Sequence, residues 1–203
     1  MAMKPLFIVF EGPDGSGLST QANLLVKWFK SHGKNALLTK EPTNSIVGGL
    51  IRSILKKEWK VDMKTFALLF SADRSYHLSS EIEPALKKGF SVVCDRYILS
   101  TLAFNVEKGT LDWLKQLNSQ FKKPDFTFIM DVPGNVSVER IKKSRFGMEF
   151  FEEADKLEEV RENYKELRDY FPNTFIIKGD GRFPEEISKE IIEIIEEKRY
   201  NLQ

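Results

Sequence analysis

An α/β fold, with a five-stranded parallel sheet and crossover helices on both faces, is what this sequence predicts. Three observations carry the prediction. Short apolar runs alternate with longer segments of helical spacing along the 203 residues, the order a βαβ chain requires. A glycine-rich turn, Gly12-Pro13-Asp14-Gly15-Ser16-Gly17-Leu18-Ser19-Thr20, directly follows the apolar run Leu6-Phe7-Ile8-Val9-Phe10. Each apolar run also ends near residues able to do chemistry. In an open α/β sheet ligands bind beyond the carboxyl ends of the strands, so the segments around Gly12, Glu41, Asp95, Asp131 and Gly179 should converge there.

Taken in order, the first strand is expected at 6–11, and the helical pattern of 18–32 follows its glycine-rich turn. A second strand at 36–40 leads to helices at 46–57 and 62–88, the second of these disturbed at Pro84, which lacks an N–H. The strand at 91–94 contains the apolar Val92-Val93-Cys94 and runs into Asp95. Helical spacing over 111–119 precedes the strand at 126–131, and helices at 136–143 and 152–170 precede the strand at 174–177. A last helix, 184–200, closes the chain; like 152–170 it carries many Glu/Lys pairs at helical spacing, which read as solvated faces.

Composition narrows the function. With 41% hydrophobic residues the chain can bury a full core as one domain of ordinary size. Formal charges cancel to +1, so no global basic field argues for a nucleic-acid partner, and an anionic ligand must be met by local arginines. Cys94 is the only cysteine, which excludes an internal disulfide and suits a reducing compartment. The run at 6–10 is too short for a signal peptide and no apolar stretch reaches bilayer length. A soluble, cytoplasmic protein acting on a small substrate is expected.

The glycine-rich turn is a phosphate-binding loop with its lysine missing. Two glycines with four residues between them, followed by Lys-Ser/Thr, wind the backbone so that its N–H groups and the next helix N-terminus face phosphate oxygens. Here Gly12, Gly15 and Gly17 permit that winding and Ser19 supplies the hydroxyl that holds Mg²⁺, but Leu18 stands where the lysine belongs. Asp95, at the end of a buried strand, is a candidate second partner of the metal hydration shell. Its neighbour Arg96 would sit in the same crevice, where a guanidinium grips phosphate through two parallel hydrogen bonds.

Five segments appear in an order that resembles the thymidylate kinases: Glu11-Gly-Pro-Asp-Gly-Ser-Gly-Leu-Ser-Thr-Gln21, Thr39-Lys-Glu-Pro42, Phe70-Ser-Ala-Asp-Arg74, Asp95-Arg-Tyr97 followed by Ser100-Thr101, and Pro124-Asp-Phe-Thr-Phe-Ile-Met-Asp131. The resemblance runs from Phe7 to the final helix. It implies a P-loop nucleoside monophosphate kinase fold and transfer of the γ-phosphate of Mg·ATP to dTMP, giving dTDP. By similarity Asp14 reaches the deoxyribose hydroxyl, Phe70 and Arg74 hold thymine from one helical face, and Arg96 holds the acceptor phosphate. Arg52, Ser100, Thr101 and Asn105 occupy positions at the base or monophosphate, Lys40 and Glu41 lie close to the acceptor phosphate and metal, and Phe104 keeps the ring that excludes a ribose 2′-hydroxyl. The segment 140–151 resembles the lid that closes over ATP, with Arg145 the first and Arg140 the second choice for the catalytic arginine. Gly181 lies where related kinases place backbone around adenine. Relatives are homodimers packed through helices, which is carried over as an expectation.

Four departures bear on that reading. Phe104 and Asn105 stand where the family commonly has tyrosine and glutamine, Lys40 where arginine is usual, and Leu18 in place of lysine. They leave open a kinase for a related acceptor, such as dUMP or a deoxynucleoside, and a nucleotide-binding regulator with an impaired site.

Overall fold

The computed structural model describes residues 4–104, 110–144 and 154–199. Among these, five strands form one sheet: β1 (Phe7–Glu11), β2 (Ala36–Lys40), β3 (Ser91–Asp95), β4 (Phe126–Asp131) and β5 (Thr174–Lys178). Their order is β2-β3-β1-β4-β5 and every pairing is parallel. From β1 the chain runs out to β2 at one edge, then turns back through β3 and past β1 to β4 and β5, so the connections leaving the adjacent β1 and β4 run toward opposite edges; the glycine-rich turn leaves β1 at that switch point, where crevices open in such sheets.

Side chains alternate across β1. Ile8 and Phe10 join a core cluster with Val93, Phe128 and Met130, whereas Phe7 and Val9 join a second cluster with Val92, Cys94 and Ile129. The three central strands are thus buried on both faces, which is why β1, β3 and β4 read as mainly apolar runs, whereas the edge strands β2 and β5 are partly exposed.

The first cluster is covered by α1 (Leu18–Ser31) and α9 (Pro184–Lys198). In α1 the buried Leu18, Ala22, Leu25, Val26 and Phe29 recur on one stripe. On the other face lie α3 (Met63–His77), α5 (Ile98–Phe104), α6 (Leu111–Asn118) and α8 (Ala154–Glu166). The helix α2 (Ile46–Leu55), capped by Ser45, packs on α3, capped by Asp62, whose carboxylate accepts from Thr65 N at 2.7 Å. The helix α7 (Gly134–Ser144) packs on α8.

Two local outcomes differ from the periodicity. The long segment expected at 62–88 is disturbed just before Pro84 but not broken: α3 widens into a π-turn at Leu78–Ile82 and continues as α4 (Glu83–Lys87), the wider turn accommodating a residue that has no N–H. The helix α5 has no counterpart in the sequence reading. Its residues from Ile98 to Ala103 are all buried, so it shows no polar stripe to betray a 3.6-residue repeat. Of the lid expected at 140–151, residues 140–144 complete α7 and the remainder lies outside the described residues, as do Asn105 and Arg145. No helix among the described residues is long and apolar enough to cross a membrane.

Candidate active site

At the carboxyl ends of the strands lies a cavity of about 880 Å³, at the upper end of the range for small-molecule sites. The ladder continues past the strands to shape its floor, with Arg96 N donating to Phe10 O at 2.9 Å and Glu41 N to Asp95 O at 3.0 Å. The expected convergence places residues of the phosphate loop, Glu41, Asp95 and Gly179 on its wall. Asp131 turns away instead, and Arg161 of α8 grips its two carboxylate oxygens at 2.5 and 3.2 Å.

The loop from Pro13 to Thr20 lines one end. Gly15 sits at φ 77°, and a Cβ there would stand 2.5 Å from Ser137 O, so both conformation and contact demand glycine. Gly17 at φ 97° caps α1, turning the unpaired N–H groups of its first turn toward the cavity end. Leu18 lines the cavity while its side chain, only 6% exposed, also belongs to the core cluster beneath. Ser19 Oγ donates to Asp95 Oδ2 at 2.5 Å, bringing together two groups 76 residues apart. No cluster of three His, Cys, Asp or Glu fit to hold a metal occurs among the described residues. Two hard oxygens beside a phosphate cradle fit Mg²⁺, which keeps water and takes much of its shell from substrate phosphates.

Arg96 is the centre of the other half. Its backbone lies at φ 71°, a region that costs a side-chain-bearing residue on the order of 1–3 kcal/mol unless its surroundings fix it. The guanidinium donates to Asp14 Oδ1 at 2.6 Å, Gly12 O at 2.9 Å, and Ser100 Oγ and the Tyr164 hydroxyl at 3.3 Å each, and it lies 5.2 Å from the Phe104 ring centre. Burial pulls against its charge, but Asp14, Tyr164, Asp95 and Glu11 more than offset that and raise its pKa above the usual value. Arg96 therefore remains a cation tied partly to Asp14, a partner that an incoming phosphate can replace.

Phe70 is half-buried on the cavity wall, edge to face with Phe66 at 4.9 Å. Arg74, one turn further along α3, is not on that wall. It is fully buried and donates to Glu41 Oε2 at 3.0 and 2.7 Å, Tyr97 O at 2.8 Å, Thr101 Oγ1 at 3.0 Å and Asn118 Oδ1. Thr101 is likewise behind the wall. The shared face of Phe70 and Arg74 runs from cavity rim into the interior, so the arginine meets Glu41 and not open space. Glu41 reaches the cavity from its other side and has His77 at 3.2 Å.

Lys40, Arg52, Ser100 and Phe104 line the cavity, and Arg52 donates to Pro42 O and Thr43 O. Arg140 also lines the cavity, donating to Gly179 O at 2.8 Å, whereas Gly181 lies in the turn beyond β5 and outside the wall. The sequence reading passed over Gln21, Phe66, Arg182, Pro184 and Ile187, all on the wall. Arg182 follows Lys178-Gly-Asp-Gly181, so the strand-end rule could have found it. Tyr164 and Glu11 were also passed over, and Tyr164, in the middle of a charged helix, gives no local signal at all.

Comparisons with known proteins agree with the geometry. A family profile for thymidylate kinase matches residues 10–191. The probable thymidylate kinase of Pyrococcus horikoshii is 41% identical over 199 residues, covering 95% of this chain and 97% of that protein. That of Methanocaldococcus jannaschii is 40% identical over 188 residues, covering 92% and 94%. The solved structure of thymidylate kinase from Candida albicans superposes with a TM-score of 0.79 at 27% identity, covering 97% of this chain and 93% of the other.

Proposed function

The chain belongs to the thymidylate kinase family, and we infer that its cavity holds two nucleotides end to end, ATP against the phosphate-binding loop and dTMP between Phe70 and Arg96. The activity is ATP-dependent transfer of the γ-phosphoryl group to dTMP, giving dTDP and ADP. The observation that carries the assignment of residues is the placement of Arg96, next in the chain to Asp95 of the Ser19–Asp95 pair and bonded to Asp14 of the loop. An acceptor phosphate gripped there faces the end of the donor phosphates, the in-line arrangement that phosphoryl transfer needs.

In this reading the loop amides and the N-terminus of α1 hold the donor phosphates, and Ser19 and Asp95 hold Mg²⁺, which when bound offsets charge on the β- and γ-oxygens. Asp14 releases Arg96 to the acceptor phosphate and takes the deoxyribose hydroxyl. Phe70 stacks on thymine and Phe104 closes the sugar side. Arg74 acts from behind by fixing Glu41. The cation that Leu18 does not supply comes from Arg140 and from Arg145, the latter outside the described residues. Exposed Ile46 and Leu50 on α2 and Leu68 on α3 support a homodimer packed through these helices, and a reduced Cys94 suits the cytoplasm.

The deciding assay is dTDP formation from dTMP and Mg·ATP, with Asp95→Ala as the control for contaminating kinase. dUMP and thymidine are run as competing acceptors. Faster turnover of either over dTMP overturns the acceptor assignment, and absence of any product overturns the residue roles. Sedimentation of the purified chain as a monomer at micromolar concentration overturns the dimer.

A further inference from the structure

Glu11 is fully buried at the end of β1, yet the reaction as described gives it nothing to do. Its Oε1 accepts from Tyr97 N at 3.0 Å, and its Oε2 from Ser100 Oγ at 2.5 Å and the Tyr164 hydroxyl at 3.4 Å. Those donors come from the turn after β3, from α5 and from α8. Two of them, Ser100 Oγ and Tyr164 OH, lie 2.8 Å apart, and each also sits 3.3 Å from Arg96 Nη1. A hydroxyl has one proton. With the Ser100 hydroxyl donating to Glu11 and the Tyr164 hydroxyl donating to Ser100 or Glu11, the lone pairs of both oxygens are left to face the guanidinium. The chain of bonds runs one way, from Arg96 through Tyr164 and Ser100 to the carboxyl group. The Tyr97 N–H bond meanwhile pins the peptide next to Arg96, whose φ of 71° needs such a restraint.

We propose that Glu11 is a positioning residue for the acceptor phosphate: with Tyr164 and Ser100 it aims the Arg96 guanidinium before dTMP arrives. This rests on the reading of Arg96 as the acceptor-phosphate ligand. If burial in the core were its whole role, an apolar side chain would serve as well, since a buried carboxyl group carries a desolvation penalty that its hydrogen bonds only partly offset.

The test uses the full chain, the four single variants Glu11→Gln, Glu11→Leu, Tyr164→Phe and Arg96→Lys, and the double variant Tyr164→Phe/Arg96→Lys, with KM for dTMP, KM for ATP, kcat and Tm measured for each. Tyr164→Phe removes one oxygen and keeps the ring, so it decides alone if the Glu11 variants do not fold. It is expected to raise KM for dTMP at least fivefold while KM for ATP stays within twofold. Glu11→Leu should raise KM for dTMP tenfold or more, with Glu11→Gln, which keeps an acceptor for Tyr97 N, in between. Tyr164→Phe added to Arg96→Lys should cost much less than it does in the wild type. A lowered Tm with both KM values unchanged overturns the proposal and leaves Glu11 a purely structural group. If Arg96→Lys itself leaves KM for dTMP unchanged, the underlying phosphate assignment fails; if Arg96→Lys weakens dTMP and Tyr164→Phe does not, only the positioning role fails.

Discussion

Replacing Arg74 by methionine keeps much of the volume of the side chain and removes its charge. In the native protein that charge is fully buried, holds Glu41 through two nitrogens, donates to Tyr97 O, Thr101 and Asn118, and lies 4.9 Å from the Tyr97 ring centre. Removing one partner of a buried pair leaves the other uncompensated, a loss of about 3–5 kcal/mol. His77, 3.2 Å from the opposite oxygen of Glu41, keeps part of the carboxylate satisfied, which favours the lower end, about 3 kcal/mol. For a domain of this size each kcal/mol moves Tm by about 2–4 °C, so Arg74→Met should melt roughly 6–12 °C below wild type. Paired melts by circular dichroism and calorimetry of wild type, Arg74→Met and Arg74→Met/Glu41→Met provide the assay, and the double variant should recover part of the loss because no charge is stranded. A Tm within 2 °C of wild type, together with a large rise in KM for dTMP, would refute the placement and return Arg74 to the thymine.

Arg96→Lys keeps the charge but not the fork, and the loss of one charge-assisted bond, about 1.5–3 kcal/mol, should lower kcat/KM for dTMP by roughly 10- to 150-fold; an unchanged value in steady-state kinetics speaks against bidentate phosphate binding. Leu18→Lys should raise kcat while lowering Tm, since a core side chain is traded for a cation at the donor phosphates, and Arg145→Ala should then be less damaging than in the natural background. Equal losses in both backgrounds would mean that the lid arginine does not stand in for the lysine. Gly48→Ala would set a Cβ 1.9 Å from Thr43 O, a backbone atom of a loop that Asp73 holds through Thr43 N at 2.7 Å, so a loss of about 1–3 kcal/mol is expected in urea unfolding. Burial pushes the Glu11 carboxyl from its usual 4.5 up to about 7, against Ser100 and the charges of Arg96 and Arg74. Between those pH values the folded chain holds a proton that the unfolded chain releases, so stability is full below the unfolded value and falls as pH rises to about 7. The fall is on the order of 3 kcal/mol and should be missing from Glu11→Gln. A wild-type minus variant difference that stays flat across that window removes the assignment.

Sequence alone determined the parallel α/β sheet, the phosphate-binding loop and the end of the molecule where the chemistry lies, because these depend on apolar runs, glycine spacing and the direction of strands, all local quantities. It also placed Asp14, Ser19, Phe70, Asp95 and Arg96 at one cleft through their motifs, and all five line the same cavity. What sequence could not decide is which way a side chain on a shared helical face turns once the face crosses from rim to core. Phe70 and Arg74 are neighbours by spacing, yet only contact with Glu41 and Asn118, from distant parts of the chain, makes one a wall and the other an interior tie. The helix α5 escaped for a related reason, since an element buried on every side carries no amphipathic pattern. The grouping of Glu11, Ser100 and Tyr164 spans 153 residues, and only the packing of α5 and α8 onto the end of β1 turns those separate letters into one hydrogen-bonded support beneath Arg96.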